Sequence, residues 1–172
     1  AIICNDTPGF LGNRVGVYAM QIAMTEAFKM KLSVEEADAI FGRPMGIPKT
    51  GVFGLYDLIG IDLMADVLKS FIKELPKSDK FHVVAQEIPL VKKLIETGYT
   101  GRKGKGGFYR INKSEGGKVL EALNLETGEF AVLRDRCWFA PSTLKCKRTL
   151  ASWCLAKLLL VLRRLIGSRR RL

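Results

Sequence analysis

The sequence predicts an all-α fold, a bundle of helices, for residues 1–133. Two observations lead to this class. Apolar residues recur at helical spacing through most of this part of the chain. Each such segment is apolar on only one side, so the helices must pack against one another or against a partner. Only Phe108, Tyr109 and Ile111 predict a short strand or extended arm.

The first helix is predicted over residues 8–31, with Thr7 as its cap and Pro8 in its first turn. Asn13 then lies about one and a half turns into a largely apolar helix. The residues expected on the buried face are Val15, Tyr18, Ala19, Ile22, Ala23 and Met30.

The second helix begins with a capping box, in which Ser33 is the cap and Glu36 lies three residues on. Gly42 is expected to end it. Residues 42–54 are rich in Gly and Pro and predict an ordered loop, with a short helical turn starting near Thr50.

A third helix is expected to begin with Asp62 as its cap and to end at Pro76. Its apolar stripe is Leu63, Met64, Val67, Leu68, Phe71 and Leu75. Residues 77–86 predict a polar connection, with His82 at the surface. A helix over residues 88–97 follows, with its inward face formed by Ile88, Val91, Leu94 and Ile95 and with Gly98 just past its end.

Residues 134–172 differ from the rest of the chain and are treated as a separate basic, apolar tail. They hold eleven of the 28 lysines and arginines and a single acidic residue, so nearly all of the net charge of +11 lies there. The change in composition is compatible with a shifted reading frame or with a genuine basic extension. The segment 150–166 is too short and too charged to predict a membrane span. It is either an interfacial helix drawn to anionic lipid or an unselected apolar sequence.

The remaining 133 residues are close to neutral, so we predict no nucleic-acid partner. Four cysteines without metal-ligand spacing predict reduced thiols and no metal site. The chain begins Ala1-Ile2-Ile3-Cys4, which is not a secretory signal. A cytoplasmic protein without a membrane partner is therefore expected.

Asn13 is the main candidate for a functional residue. Its amide offers a donor and an acceptor near a helix start, and Gly9 and Gly12 would let a ligand or another backbone approach closely. The alternative interpretation is a structural amide that ties the helix start to a neighbouring loop.

Three blocks resemble, in the same order, the C-terminal domain of 3-hydroxyacyl-CoA dehydrogenases. They are DTPGFLGNR (residues 6–14), GRPMG with GLYDLIGID (42–46 and 54–62), and GRKGKGGFY (101–109). The resemblance extends over residues 5–111. The inserted residues 47–53 resemble the branch in which this domain belongs to large, multi-domain bacterial β-oxidation proteins.

The resemblance implies a helical bundle of the 6-phosphogluconate dehydrogenase C-terminal type, which in this family follows a Rossmann domain and commonly carries a homodimer contact. It implies oxidation of (S)-3-hydroxyacyl-CoA to 3-oxoacyl-CoA with NAD. It makes Asn13 a catalytic residue that hydrogen-bonds the reacting oxygen of the acyl-CoA substrate.

The NAD-binding unit and the catalytic His–Glu pair of the family are not found in this sequence. The expectation is therefore that NAD is bound by a missing N-terminal domain and that the isolated chain has little activity. Two other classes stay open. The domain could be a non-catalytic dimerising scaffold, or the tail could act as a basic membrane-surface peptide.

The other polar positions have competing interpretations. Arg14 either pairs with an acid near the domain interface or has a structural or solvated role. Residues 43–46 predict a tight loop. Asp57 and Asp62 flank the turn at Gly60 and are predicted to cap helices, not to act as an acid–base pair or bind metal. The loop 101–107 is predicted to seat the aromatic residues after it, with contact to CoA phosphates as the alternative.

Overall fold

The computed structural model describes residues 3–42, 50–114 and 117–133, which form six helices and one three-stranded antiparallel sheet. The helices are α1 (Gly12–Lys29), α2 (Val34–Ile40), α3 (Gly51–Ile59), α4 (Ile61–Glu74), α5 (Phe81–Val84) and α6 (Pro89–Glu96). The strands are β1 (Tyr109–Ser114), β2 (Gly117–Leu123) and β3 (Phe130–Val132). The helical class is confirmed, with the sheet as a minor addition. The predicted loop at 43–46 and the tail 134–172 lie outside the described residues.

Helix α1 begins later than predicted. Gly9 has φ 76° and Phe10 has φ 48°, and both values exclude a right-handed helix at these positions. Residues 8–11 therefore form a turn, and the helix starts at Gly12. The prediction that Thr7 caps the helix is wrong. Its carbonyl accepts from the Phe10 N–H at 2.9 Å, and no side chain caps α1.

The buried face of α1 was also predicted wrongly. The buried residues are Val17, Met20, Gln21, Ala23, Met24 and Ala27, of which only Ala23 belongs to the predicted face. Apolar side chains lie on most sides of this helix, so more than one set of positions satisfies the helical period. Packing against the rest of the domain decides which set is buried.

The capping box of α2 is confirmed. The Ser33 hydroxyl oxygen accepts from the Glu36 N–H, and the Glu36 carboxylate accepts from the Ser33 N–H, both at 3.2 Å. The helix ends at Ile40, just before the predicted stop at Gly42.

Helix α3 is longer than the predicted turn because α2 supplies its cap. The Asp38 carboxylate of α2 accepts from the N–H groups of Phe53 at 2.7 Å and Gly54 at 3.0 Å, in the first turn of α3. A Cβ on Gly51 would lie 2.5 Å from Asp38 Oδ1, so the first residue of α3 must be small. A carboxylate from outside the helix thus satisfies its free donors.

Helix α4 starts at Ile61, and its N-cap residue is Gly60, which has φ 113°, and not Asp62. Asp62 lies in the first turn, where its charge suits the helix dipole, and pairs with Lys103 at 2.8 Å. Most of the predicted stripe is buried or partly buried. Leu63 is the exception, with 49% of its surface exposed.

The predicted polar connection 77–86 contains helix α5. This helix is anchored by the buried Phe81, whose ring lies edge-on to Phe71 with centroids 5.2 Å apart. His82 is half-buried and not fully at the surface, with Nε2 3.1 Å from the Pro76 carbonyl oxygen. Helix α6 matches the prediction, with Leu94 buried.

Strand β1 was expected, but β2 and β3 were not. In the sheet Ile111 pairs with Leu120, and Ala122 pairs with Ala131. Just before β1, Phe108 is fully buried and lies edge-on to Phe53 with centroids 4.7 Å apart. Such aromatic pairs add about 0.5–1.5 kcal/mol to the stabilisation from burial. Among the described helices, none has both the length and the apolar character needed to cross a bilayer.

Candidate functional site

Asn13 is the second residue of α1 and is exposed to solvent. It therefore lies in the first helical turn, not one and a half turns in as predicted. Within the described residues no hydrogen bond joins its amide to a neighbouring loop, so the structural alternative finds no support there. The first turn of α1 has neither a side-chain cap nor an acidic residue. Its free N–H groups leave a partial positive charge beside the Asn13 amide.

The segment before Asn13 is held close to α4. Gly9 lies against the ring of Phe71, and a Cβ at Gly9 would be only 2.2 Å from Phe71 Cζ. Its left-handed conformation also favours glycine. Gly12 differs, because among the described residues no atom beyond its chain neighbours and its own helix backbone lies within 4 Å of the position of its Cβ. Pro8 is in the turn and not in the first helical turn as predicted. Gly9 therefore fixes the approach to α1, while Gly12 leaves open space beside Asn13.

On the other side of Asn13, the guanidinium of Arg14 forms an ion pair with Asp79. This contact supports the structural role of Arg14, because its acid partner lies within the same domain, in the connection between α4 and α5. Both side chains are partly shielded from solvent, with 26% and 18% of their surfaces exposed. Contacts on both sides of Asn13 therefore hold the start of α1.

Asp57 has a structural role that the sequence did not indicate, and the prediction that it caps a helix is wrong. Its side chain is buried, and its two oxygens accept from the N–H groups of Phe108 and Tyr109, both at 2.8 Å. The glycine-rich loop closes around it. A Cβ at Gly107 would lie 1.9 Å from Asp57 Oδ1, and one at Gly101 would lie 2.5 Å from the Asp57 carbonyl oxygen.

This arrangement confirms that the loop 101–107 seats the aromatic residues after it. The loop runs from α6 to β1 and not from a strand to a helix, and its inner side is occupied by a carboxylate. A phosphate would be repelled there. In the described part of the chain, the sheet is antiparallel and contains no parallel βαβ unit. The described residues therefore do not fit NAD.

Tyr109 joins three elements of the domain. Its N–H donates to Asp57 of α3, and its hydroxyl donates to Asp38 of α2 at 3.0 Å. Burial raises the pKa of both carboxyl groups to about 6, although the N–H groups that they accept from oppose the shift. The two acids thus bind the start of β1 to α2 and α3 at the cost of burying charge.

The raised pKa values predict that the domain becomes more stable as the pH falls from 7 to 5. Each carboxyl has a pKa of about 6 in the folded chain and 3.8 as its ordinary value. Between these values the folded state binds more protons, so the free energy of unfolding falls as the pH rises. We expect a gain of about 1 kcal/mol per carboxyl between pH 7 and pH 5, measured by urea unfolding.

The matched control for this prediction is Asp66→Asn. Asp66 is an exposed residue of α4, so this change should leave the slope of stability against pH as it is. Asp57→Asn should instead reduce the slope, because it removes one of the two titrating groups. A stability that rises steadily from pH 5 to pH 7 in the unaltered chain would contradict the prediction.

Metal binding finds no support in the described residues, where no three His, Cys, Asp or Glu side chains are grouped as a metal site requires. The features that the structure does bring together are an exposed amide at an uncapped helix start and the contacts that hold this start in place.

The fold is that of a helical domain whose core is completed by an aromatic residue after a glycine-rich loop. Residues 9–111 match the family described as 3-hydroxyacyl-CoA dehydrogenase, C-terminal domain. The chain belongs to this family. The matched range includes Asn13 and Asp57 and covers almost all of the resemblance found in the sequence.

Several curated proteins are similar to this chain. A provisionally named fatty acid oxidation complex trifunctional enzyme of Rickettsia prowazekii is 46% identical over 124 residues, which is 72% of this chain and 17% of that protein. A protein of the same provisional name from Rickettsia felis is 44% identical over 122 residues, covering 71% and 17%. A provisionally named 3-hydroxyacyl-CoA dehydrogenase of Bacillus subtilis is 32% identical over 131 residues, covering 74% and 16%. The chain therefore spans about a sixth of the length of these relatives.

Proposed function

We propose that this chain provides the substrate-binding helical domain of a 3-hydroxyacyl-CoA dehydrogenase. The reaction of the whole enzyme is oxidation of (S)-3-hydroxyacyl-CoA to 3-oxoacyl-CoA with NAD, in fatty-acid β-oxidation. The observation that carries the proposal is the exposed amide of Asn13 in the first turn of α1, within the range that matches the family.

The proposed role of Asn13 is to donate a hydrogen bond to the oxygen on C3 of the acyl group. In the reductive direction this oxygen changes from a carbonyl to an alkoxide-like group before it is protonated, so negative charge develops on it. A fixed amide donor stabilises such charge without giving up its own proton. The partial positive charge at the start of α1 acts in the same direction.

The proposed partners are an acyl-CoA substrate, an NAD-binding domain and a second copy of the chain. The described residues do not fit NAD, which is why the cofactor is assigned to another domain of the whole enzyme. The relatives support this division, since this chain matches about a sixth of their length. A homodimer and a cytoplasmic location are parts of the same proposal.

The test measures NADH oxidation with acetoacetyl-CoA. The 172-residue chain is assayed alone and after fusion to the segment of the Rickettsia prowazekii relative that lies outside the matched region. We expect little or no turnover from the chain alone and clear turnover from the fusion. The same segment without this chain is the control for activity that it carries by itself.

The outcomes separate the proposal from its main alternative. A fusion that binds NADH but does not turn over acetoacetyl-CoA would contradict the proposed function. If that inactive chain still formed a stable dimer, it would support the non-catalytic scaffold. Full turnover by the chain alone would contradict the assignment of NAD to another domain.

A further inference from the structure

We propose that Asp79 is a positioning residue for Asn13 and acts through Arg14. The inference rests on the proposed function, because it concerns the amide that we propose contacts the substrate. It starts from the finding that the first turn of α1 lacks a side-chain cap. A helix start without a side-chain cap is prone to fraying. The direction of the Asn13 amide must therefore be fixed by contacts outside the helix.

Two contacts supply this restraint, and they lie on either side of Asn13. Before it, Gly9 lies directly on the ring of Phe71 of α4. After it, Arg14 pairs with Asp79. Since residues 9 and 14 are both tied down, the turn between them cannot rotate freely about the axis of α1.

The two contacts are connected to each other through α5. One oxygen of Asp79 accepts from the Phe81 N–H at 2.9 Å, while the other binds Arg14. The ring of Phe81 packs edge-on against Phe71, which lies under Gly9. Contacts therefore connect Gly9 to Arg14 without a gap. They run through Phe71, Phe81 and Asp79, and Asp79 is the residue that binds Arg14.

The environment of the ion pair favours a firm contact. Arg14 and Asp79 are partly buried, and a shielded charge-assisted hydrogen bond is stronger and better oriented than one on an open surface. Tyr18 lies one turn after Arg14 on α1, and its pKa is raised by burial and by the nearby charge of Asp79. Asp79 therefore faces the side of α1 that carries Arg14.

The test uses Asp79→Asn, which keeps an oxygen to accept from the Phe81 N–H but removes the charge that binds Arg14. In the active fusion described above, we expect kcat to fall about tenfold and KM to change less than about twofold. The matched control is Asp66→Asn, which removes the acid of the exposed pair with Lys69 at 3.7 Å and should leave kcat unchanged.

A double-mutant cycle distinguishes positioning from a general structural role. If Asp79 acts through the amide, Asp79→Asn should have no further effect on kcat in a chain that already carries Asn13→Ala. An equal loss in both backgrounds would overturn the inference. Arg14→Lys is the second variant, which keeps the charge but not the planar guanidinium, and we expect a loss of about threefold in kcat.

A measurement without turnover keeps this inference separate from the proposed function. The side-chain amide resonances of Asn13 are recorded by NMR in the full chain. We expect them to shift and broaden in Asp79→Asn but not in Asp66→Asn. Unchanged resonances would overturn the positioning role even if the fusion is active. If the Asn13 resonances change in Asp79→Asn but the fusion is inactive, the positioning role is supported and the proposed function is contradicted.

Discussion

Replacing Gly107 by alanine is expected to destabilise the domain by about 3–5 kcal/mol. The new Cβ would lie 1.9 Å from Asp57 Oδ1 and 3.0 Å from the Cα of Gly101. The carboxylate would have to move, and the N–H groups of Phe108 and Tyr109 would lose the acceptor that they share. The fully buried ring of Phe108 would then lose its place against Phe53.

The same chemical change at Gly16 is the control. Gly16 is an exposed residue inside α1, and in the part of the chain that the structure describes nothing outside its chain neighbours and helix backbone lies within 4 Å of the position of its Cβ. Alanine there should stabilise the chain by about 0.5–1 kcal/mol, because glycine is a poor helix former. Both variants are compared by urea unfolding followed by circular dichroism. A Gly107→Ala chain within 1 kcal/mol of the unaltered one would contradict the close contact with Asp57.

The case of Gly107 also shows what the sequence could and could not predict. The glycine-rich block was correctly assigned to seating Phe108, because glycines before an aromatic residue indicate a turn. The carboxylate inside the loop was missed, since Asp57 is some fifty residues away along the chain and no local pattern connects the two. The only signal for it was the resemblance, which placed both residues in family motifs without stating a contact.

Helix starts and caps were predicted correctly where the residues that determine them are close in sequence, and wrongly or not at all where they are far apart. The capping box of α2 was predicted correctly because both of its hydrogen bonds lie within four residues. The start of α1 was predicted wrongly because positive φ values at Gly9 and Phe10 exclude a helix there, and the contact of Gly9 with Phe71 joins residues far apart in the sequence. The cap of α3 was missed because Asp38 belongs to another helix.

The sheet was only partly predicted because β2 lacks the usual alternation. Ala122 and Leu123 are neighbours and both are buried, so the strand shows no clear polar face. Glu121 is buried as well, where it pairs with Arg110 at 2.5 Å. A buried acid next to two buried apolar residues is as compatible with a helix as with a strand when only the sequence is known.

The candidate site was found through the resemblance and not through the spacing of residues. The sequence placed Asn13 near a helix start, and the structure adds that its amide is exposed in an uncapped first turn. The two contacts that hold the start of α1 could not be predicted from the sequence, because Phe71 and Asp79 are both far from Asn13 along the chain.

Replacing Asn13 by alanine is expected to lower kcat of the active fusion by about 100- to 1000-fold, the range seen when a donor to a developing oxyanion is removed. KM should change far less, because the hydrogen bond gains strength mainly as charge develops on the oxygen. Stability should stay within about 0.5 kcal/mol, since the side chain is exposed and forms no hydrogen bond within the described residues.

Asn13→Asp separates this catalytic role from a structural one, because its two effects have opposite signs. A negative charge in the first turn of an uncapped helix should raise the free energy of unfolding by about 0.3–1 kcal/mol. The same charge would face the oxygen on which negative charge develops, so kcat should fall at least as far as in Asn13→Ala. A variant that is both more stable and less active cannot owe its loss of activity to misfolding. Activity close to that of the unaltered fusion would instead show that the Asn13 amide does not contact the reacting oxygen.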